Sequence, residues 1–112
     1  MKKTEVLNIA NATAITADHI DFQNYKYGMI HMPAAWTAAD LAFAVCHESN
    51  GTYIPLHDSS GLVTMAVAAS QSYSLPDALK GAGYFKIKSV DTVDASDENQ
   101  GALRLLTVDC KS

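Results

Sequence analysis

The chain's four histidines, two cysteines and scattered carboxylates are the side chains that could do chemistry. Their spacing decides which chemistry. His19, His31, His47 and His57 form no H-x-H, H-x-x-x-H or H-E-x-x-H pattern with a fourth ligand. His47 and His57 flank Asn50-Gly51, with Asp58 nearby. A metal there would need more ligands of suitable type, so these histidines read as polar residues beside a turn. Ser59 and Ser60, next to His57 and Asp58, supply the residue types of a hydrolase triad. Sequence neighbours rarely converge in that geometry, and G-x-S-x-G is absent. Asp91, Asp94, Asp97 and Glu98 lack the D-x-[DN]-x-[DN]-G spacing of a calcium loop and read as a solvated stretch. Gly81-Ala82-Gly83 precedes a strand candidate, not a helix, so it is no phosphate loop. Cys46 and Cys110 match no zinc or redox motif. They read as buried thiols acting as small hydrophobes, and a disulfide would require the two strand ends to be neighbours. The expectation is a chain with no catalytic, cofactor-binding or metal-binding residue, not an enzyme.

Groups suited to contact remain. Tyr27, Trp36, Tyr53 and Tyr84 are the partner-contact candidates, because interfaces enrich Tyr and Trp and their rings stack on sugars. Trp36, close to Pro33, also suits a plug over the end of a core.

The 112 residues fit one domain, 1–112, within which residues 1–24 carry the weakest pattern and leave room for an extended arm. The composition, 48% hydrophobic and 18% charged, is globular. A net charge of −4 with 8 Lys and Arg provides no basic stripe for nucleic acid and little attraction to an anionic membrane. Lys2 and Lys3 are followed by Thr4, Glu5 and Asn8, which interrupt any signal-like apolar run, so a cytoplasmic origin is expected.

Period-two alternation dominates the elements that would position these groups. Tyr25–Met32 sets Tyr27, Met29 and His31 against Gly28, Ile30 and Met32. Leu41–Cys46 reads as a strand covered on both faces, with Leu41, Phe43 and Val45 in the main core. Asn50-Gly51 predicts a type I′ hairpin into Thr52–Leu56, where Pro55 marks an edge. Asp58-Ser59-Ser60-Gly61 predicts a second turn, followed by a strand over Leu62–Ala68. Ser72–Leu75, a short turn after Pro76, then Tyr84–Ser89 and Leu103–Cys110 complete the chain. The pattern of about eight short strands predicts an all-β fold, an antiparallel β-sandwich of jelly-roll type. Phe43, Val45, Phe85, Ile87 and Leu105 are its predicted shared core.

The run M-P-A-A-W-T-A-A-D-L, the following F-A-V, the N-G turn and D-S-S-G resemble small proteins from tailed-phage structural gene clusters. L-P-D-A-L-K-G-A-G-Y-F-K-I-K-S and the closing Q-G-A-L-R-L-L-T-V are similar to the same family, so the resemblance spans Gly28–Val108. In size, acidity and strand pattern the chain is similar to capsid decoration (staple, or cement) proteins of short-tailed enterobacterial phages. That resemblance implies a virion structural protein on the capsid exterior, made in the host cytoplasm and stapling neighbouring major capsid subunits. A pair of chains meeting across a local two-fold would let each grip one subunit, so a dimer on the particle is expected, while the charge balance and the motif spacings predict no direct contact with nucleic acid or membrane and no cofactor. A tail or head–tail joint protein and a carbohydrate-binding module aiding adsorption are the alternatives.

Overall fold

The alternation in Asp40–Cys46 and Tyr84–Val90 builds the centre of the molecule. The structure, a computed structural model, describes residues 2–112. Its strands are β1 (Lys2–Ile9), β2 (Ile20–Asp21), β3 (Tyr27–His31), β4 (Asp40–Cys46), β5 (Ile54–Pro55) and β6 (His57–Asp58). They continue as β7 (Gly61–Leu62), β8 (Thr64–Met65), β9 (Ser72–Ser74), β10 (Tyr84–Val90) and β11 (Arg104–Lys111). One 3-10 turn, Asp77–Leu79, follows Pro76, and Gly81 leaves it with a φ of +90.

All pairings are antiparallel. The front sheet has the order β1-β11-β3-β9 and the back sheet β2-β10-β4-β5, with β8 also on β4. Counting β5 and β8 as one interrupted strand, the front sheet runs first-eighth-third-sixth and the back sheet second-seventh-fourth-fifth. That is the double Greek key of a jelly roll, and the all-β sandwich expected from the sequence is what the chain forms.

Between the sheets lie Leu7, Ile9, Ile30, Leu106 and Val108 from the front and Ile20, Leu41, Phe43, Phe85 and Ile87 from the back. Phe85 meets Phe22 and Phe43 edge-on, with centroids 5.5 and 6.0 Å apart. Leu105 is a correction to the predicted core. It is 49% exposed, and the opposite parity of β11 buries Leu106, Val108 and Cys110 instead. Val45 is half-buried and packs against the core from its margin. The outward positions of β4, Ala42 and Ala44, are also buried, beside Lys88 and Lys86 of β10. Small residues there leave room for the long lysine stems, whose heads reach Asp97 (Lys88) and the Tyr53 ring (Lys86).

Residues 2–24 pack into the two sheets. β1 pairs with β11 from Lys2↔Lys111 to Ile9↔Arg104, and Leu7 and Ile9 are in the core. Bridges Ile9↔Thr16 and Ile15↔Lys88 then carry the chain from front to back sheet. Buried Thr16 fixes this crossing, its hydroxyl donating to the Asp18 carbonyl at 2.9 Å and accepting from the Ile87 N–H at 3.2 Å.

The Asn50-Gly51 turn differs from the type I′ expectation, since neither residue has positive φ. Gly51 N–H instead bonds to the Glu48 carbonyl at 3.3 Å, and the first ladder pair beyond the loop is Val45↔Ile54. Glycine is required there for proximity: a Cβ would lie 2.4 Å from Cys46 Sγ. The predicted Leu62–Ala68 strand is likewise broken. Leu56 N–H bonds to the Phe43 carbonyl, and Thr64 pairs with Ala42, the next residue along β4, so residues 57–63 form a detour outside the sheet. The β6–β7 hairpin is that detour, and its tip is the Asp58–Gly61 turn.

The corner 32–39 is tied down from the far side by Gln100, which is 1% exposed. Its Oε1 accepts from the Thr37 N–H at 2.9 Å and Arg104 Nε at 3.2 Å, and its Nε2 donates to the Thr37 carbonyl at 3.2 Å. A buried amide with both ends satisfied is the condition under which a polar group can sit in such a place.

Candidate functional site

Period two turns alternate residues of the front sheet towards solvent, and the register aligns them in rows. Val6, Thr107, His31 and Ser72 form one row across β1, β11, β3 and β9, and Thr4, Asp109, Met29 and Ser74 form the next. Side chains link the rows. Thr4 Oγ1 donates to Asp109 Oδ1 at 2.5 Å, Asp109 Oδ2 meets His31 Nε2 at 2.8 Å, and His31 Nδ1 meets Ser72 Oγ at 2.7 Å. The chain Thr4–Asp109–His31–Ser72 thus crosses all four strands.

Three of these residues are the types of a nucleophilic triad. The imidazole, however, offers Nδ1 to the hydroxyl and Nε2 to the carboxylate, the reverse of the hydrolase order. Ser72 also lies exposed on an open sheet face. The network keeps Asp109 ionised: the Thr4 hydroxyl, then the His31 ring, hold its carboxyl below the usual carboxylate range. The Gln23 backbone N–H does the same for Asp21. A carboxyl whose folded pKa is depressed stabilises the fold above its unfolded value of about 3.9, and that contribution disappears as pH falls through the folded value. Asp109→Asn is therefore expected to flatten the acid limb of stability below roughly pH 4. Thermal unfolding across that range checks it, and an acid limb identical to wild type would refute the assignment.

Apolar residues share the same face. Val6 is 52% exposed and Leu105 49%, diagonal neighbours across β1 and β11, and Leu103, 57% exposed, continues the alternation. This gives the front face an apolar strip beside a polar network.

The back sheet presents a different group. Tyr84 of β10 and His19 meet edge-on at 5.3 Å, and His19 stacks against Tyr53 at 6.2 Å. Lys86 Nζ lies 4.9 Å from the Tyr53 centroid. The phenols are satisfied within the protein: Tyr53 donates to the Ser49 carbonyl at 2.9 Å, and Tyr84 accepts from Gln23 Nε2 at 2.9 Å. Burial, then the neighbouring Cys46 and Tyr84, push the Tyr53 pKa up.

The four aromatic candidates therefore divide. Tyr53 and Tyr84 sit together around His19. Tyr27 stands apart on the front sheet, 60% exposed. Trp36 is half-buried against the core, its Nε1 donating to the Ala39 carbonyl at 3.3 Å, as a corner plug would. His57 and Asp58 form turn contacts, with His57 Nδ1 on the Pro55 carbonyl and the Ser60 N–H on Asp58 Oδ1. Among the described residues, no three His, Cys, Asp or Glu gather where a metal ion could be held. Cys46 and Cys110 are both free thiols. No helix among the described residues is long and apolar enough to cross a membrane.

Reading by sequence missed the His31–Asp109–Ser72 network. Each member occupies an outward strand position, but only the pairing of β3 with both β9 and β11 brings them together.

No family model and no curated protein sequence matches the chain. Among solved structures, the fold is similar to the crystal structure of the SPBc2 prophage-derived protein YomS, with a TM-score of 0.58 and 8% identity over 100% of this chain and 96% of that one. A structure of Bacillus endospore appendages, described as forming a novel family of disulfide-linked pili, aligns at a TM-score of 0.41 and 10% identity over 99% of this chain and 87% of that one. At such identities the likeness to the prophage-derived protein is one of fold.

Proposed function

We propose that this chain is a non-enzymatic structural protein of a virion, decorating the outer capsid surface and stapling neighbouring major capsid subunits. The observation that carries the reading is the front face. A four-stranded sheet holds Val6 and Leu105 in the open, with Leu103 just before β11, next to the Thr4–Asp109–His31–Ser72 network. Exposed apolar residues rimmed by polar ones mark protein contact surfaces. The resemblance over Gly28–Val108 supports the same reading, as does the fold shared with a prophage-derived protein.

A clamp on a pressurised shell has simple requirements. It needs a rigid scaffold, a flat adhesive surface and modest affinity, because a clamp touching two subunits gains effective concentration once one contact is made. A symmetric shell repeats the docking site many times, and two copies meeting across a local two-fold would let each grip one subunit. Binding that favours the assembled shell over its dissociated parts stabilises the shell. Purified particles with and without the protein test this. The expected result is many copies per particle and a higher temperature of DNA release when it is present. Equal release temperatures, or particles that lack the protein, would sink the proposal.

A further inference from the structure

Lys26, Lys80 and Lys111 converge on one cavity of about 310 Å³ at the end of the front sheet, bounded by Tyr27 and Leu75. In a chain with 8 Lys and Arg and a net charge of −4, three lysines outnumber the two aspartates, Asp77 and Asp109, in this lining, a local excess that the overall balance conceals. Register and turn geometry create it. Lys111 pairs with Tyr27 on one side and Lys2 on the other, and the Lys26 N–H bonds to the Lys111 carbonyl at 3.0 Å. Lys80 arrives just after the 3-10 turn, its Nζ 5.4 Å from the Tyr27 centroid and 3.5 Å from Asp77 Oδ1.

Among the described residues, Lys26 and Lys111 form no ion pair. Asp109, also in the wall, is engaged by Thr4 and His31. Apolar residues line the same cavity: the Tyr27 ring, 60% exposed, and the largely buried Leu75, packed so closely on Gly28 that a Cβ there would come within 2.4 Å of it.

We propose that this cavity binds an acidic sugar, a ring bearing a phosphate or carboxylate group. Each part of such a ligand has a counterpart. The ammonium groups of Lys26 and Lys111 form charge-assisted hydrogen bonds to the anionic group. The Tyr27 ring takes the apolar face of the sugar, as aromatic side chains do. Asp77 accepts from ring hydroxyls. The volume lies at the small end of ligand pockets, roughly 300–1,000 Å³, which suits a short saccharide. A bare inorganic anion would leave the aromatic ring and Leu75 unused, and a neutral sugar would leave the two lysines unused. The inference does not depend on the capsid reading, because it concerns the isolated chain.

The test is titration of the free protein with a galacturonic-acid trisaccharide, followed by amide magnetic resonance. Shifts are expected at residues 26–29, 74–80 and 111, with weak affinity on the order of 1 mM. Tyr27→Ala and Lys111→Gln should each weaken binding about tenfold, while Lys88→Gln on the back sheet leaves it unchanged. Both test residues are exposed, and an unchanged unfolding temperature verifies that the variants fold. The proposal is overturned if the trisaccharide causes no shifts, or if Tyr27→Ala binds like wild type. Equal responses to maltotriose, to inorganic phosphate or to an acidic polyglutamate peptide would also overturn it.

Discussion

Phe85→Ala is expected to destabilise the protein by about 3–5 kcal/mol. The ring is fully buried and sits edge-on between Phe22 and Phe43, at the point where β10 faces both its own sheet and the opposite one. Alanine would leave a cavity that two neighbouring rings on separate elements cannot both move to fill. Domains of this size have total stabilities of about 5–15 kcal/mol, so the change consumes a large part of the margin. At roughly 4–8 °C per kcal/mol for a slightly smaller domain, the unfolding temperature should fall by more than about 10 °C. Val93→Ala is the control. At 93% exposure it should stay within about 0.5 kcal/mol of wild type. Urea titration of both variants measures the difference, and equal midpoints would show that Phe85 is not at the centre of the core.

Leu105→Glu is expected to reduce association with purified particles by at least about tenfold, in line with the loss of a central apolar contact. Leu105 is outward-facing in a strand flanked by β1 and β3, so the substitution changes the surface while leaving the core untouched. Val6→Thr keeps side-chain shape and strand preference but adds a hydroxyl to the same strip, and should weaken association in the same direction by a smaller amount. Ile54→Glu, at 60% exposure on the back sheet, should have no effect if the front face is the adhesive one. Co-sedimentation with particles lacking their own copy of the protein measures all three. Wild-type association by Leu105→Glu, or loss of it by Ile54→Glu alone, would move the contact surface elsewhere.

The strands were legible wherever a single sheet face carried large apolar residues at every second position. Leu41, Phe43, Phe85 and Ile87 sit where alternation puts them. Leu105 shows the limit of that signal. In L-R-L-L-T-V both parities carry leucine, and only the packing of Leu106 and Val108 against the back sheet decides which side is inside. β1 was obscured for a related reason: its N-terminal half, Lys2–Glu5, is polar on both faces, and its existence depends on β11. The Asn50-Gly51 dipeptide favours positive φ in isolation, but here neither residue adopts it, and Gly51 N–H closes on the Glu48 carbonyl in a longer connection to Ile54. As for the surface sites, Tyr27 was visible as an aromatic residue on an outward strand position. The lysines around it were not, because they come from three separate segments that meet only at the corner of the front sheet.

The pairing of β1 with β11 also imposes an order on synthesis. β11 lies between β1 and β3, so β1 has no strand partner, and β3 only β9, until Arg104–Lys111 has left the ribosome. Much of the back sheet, including the β4–β10 ladder, can close earlier, as can the β3–β9 pair, whereas the β1 side of the front sheet must wait for β11. Closing a loop of that length costs entropy before any contact repays it, which is the reason non-local β topologies fold slowly. During that interval the apolar side chains of Leu7, Ile9 and Ile30 have no cover from Leu106 and Val108. The nascent chain is therefore at its most adhesive just before β11 emerges, and the front face becomes a defined surface only when β11 joins β1 to β3.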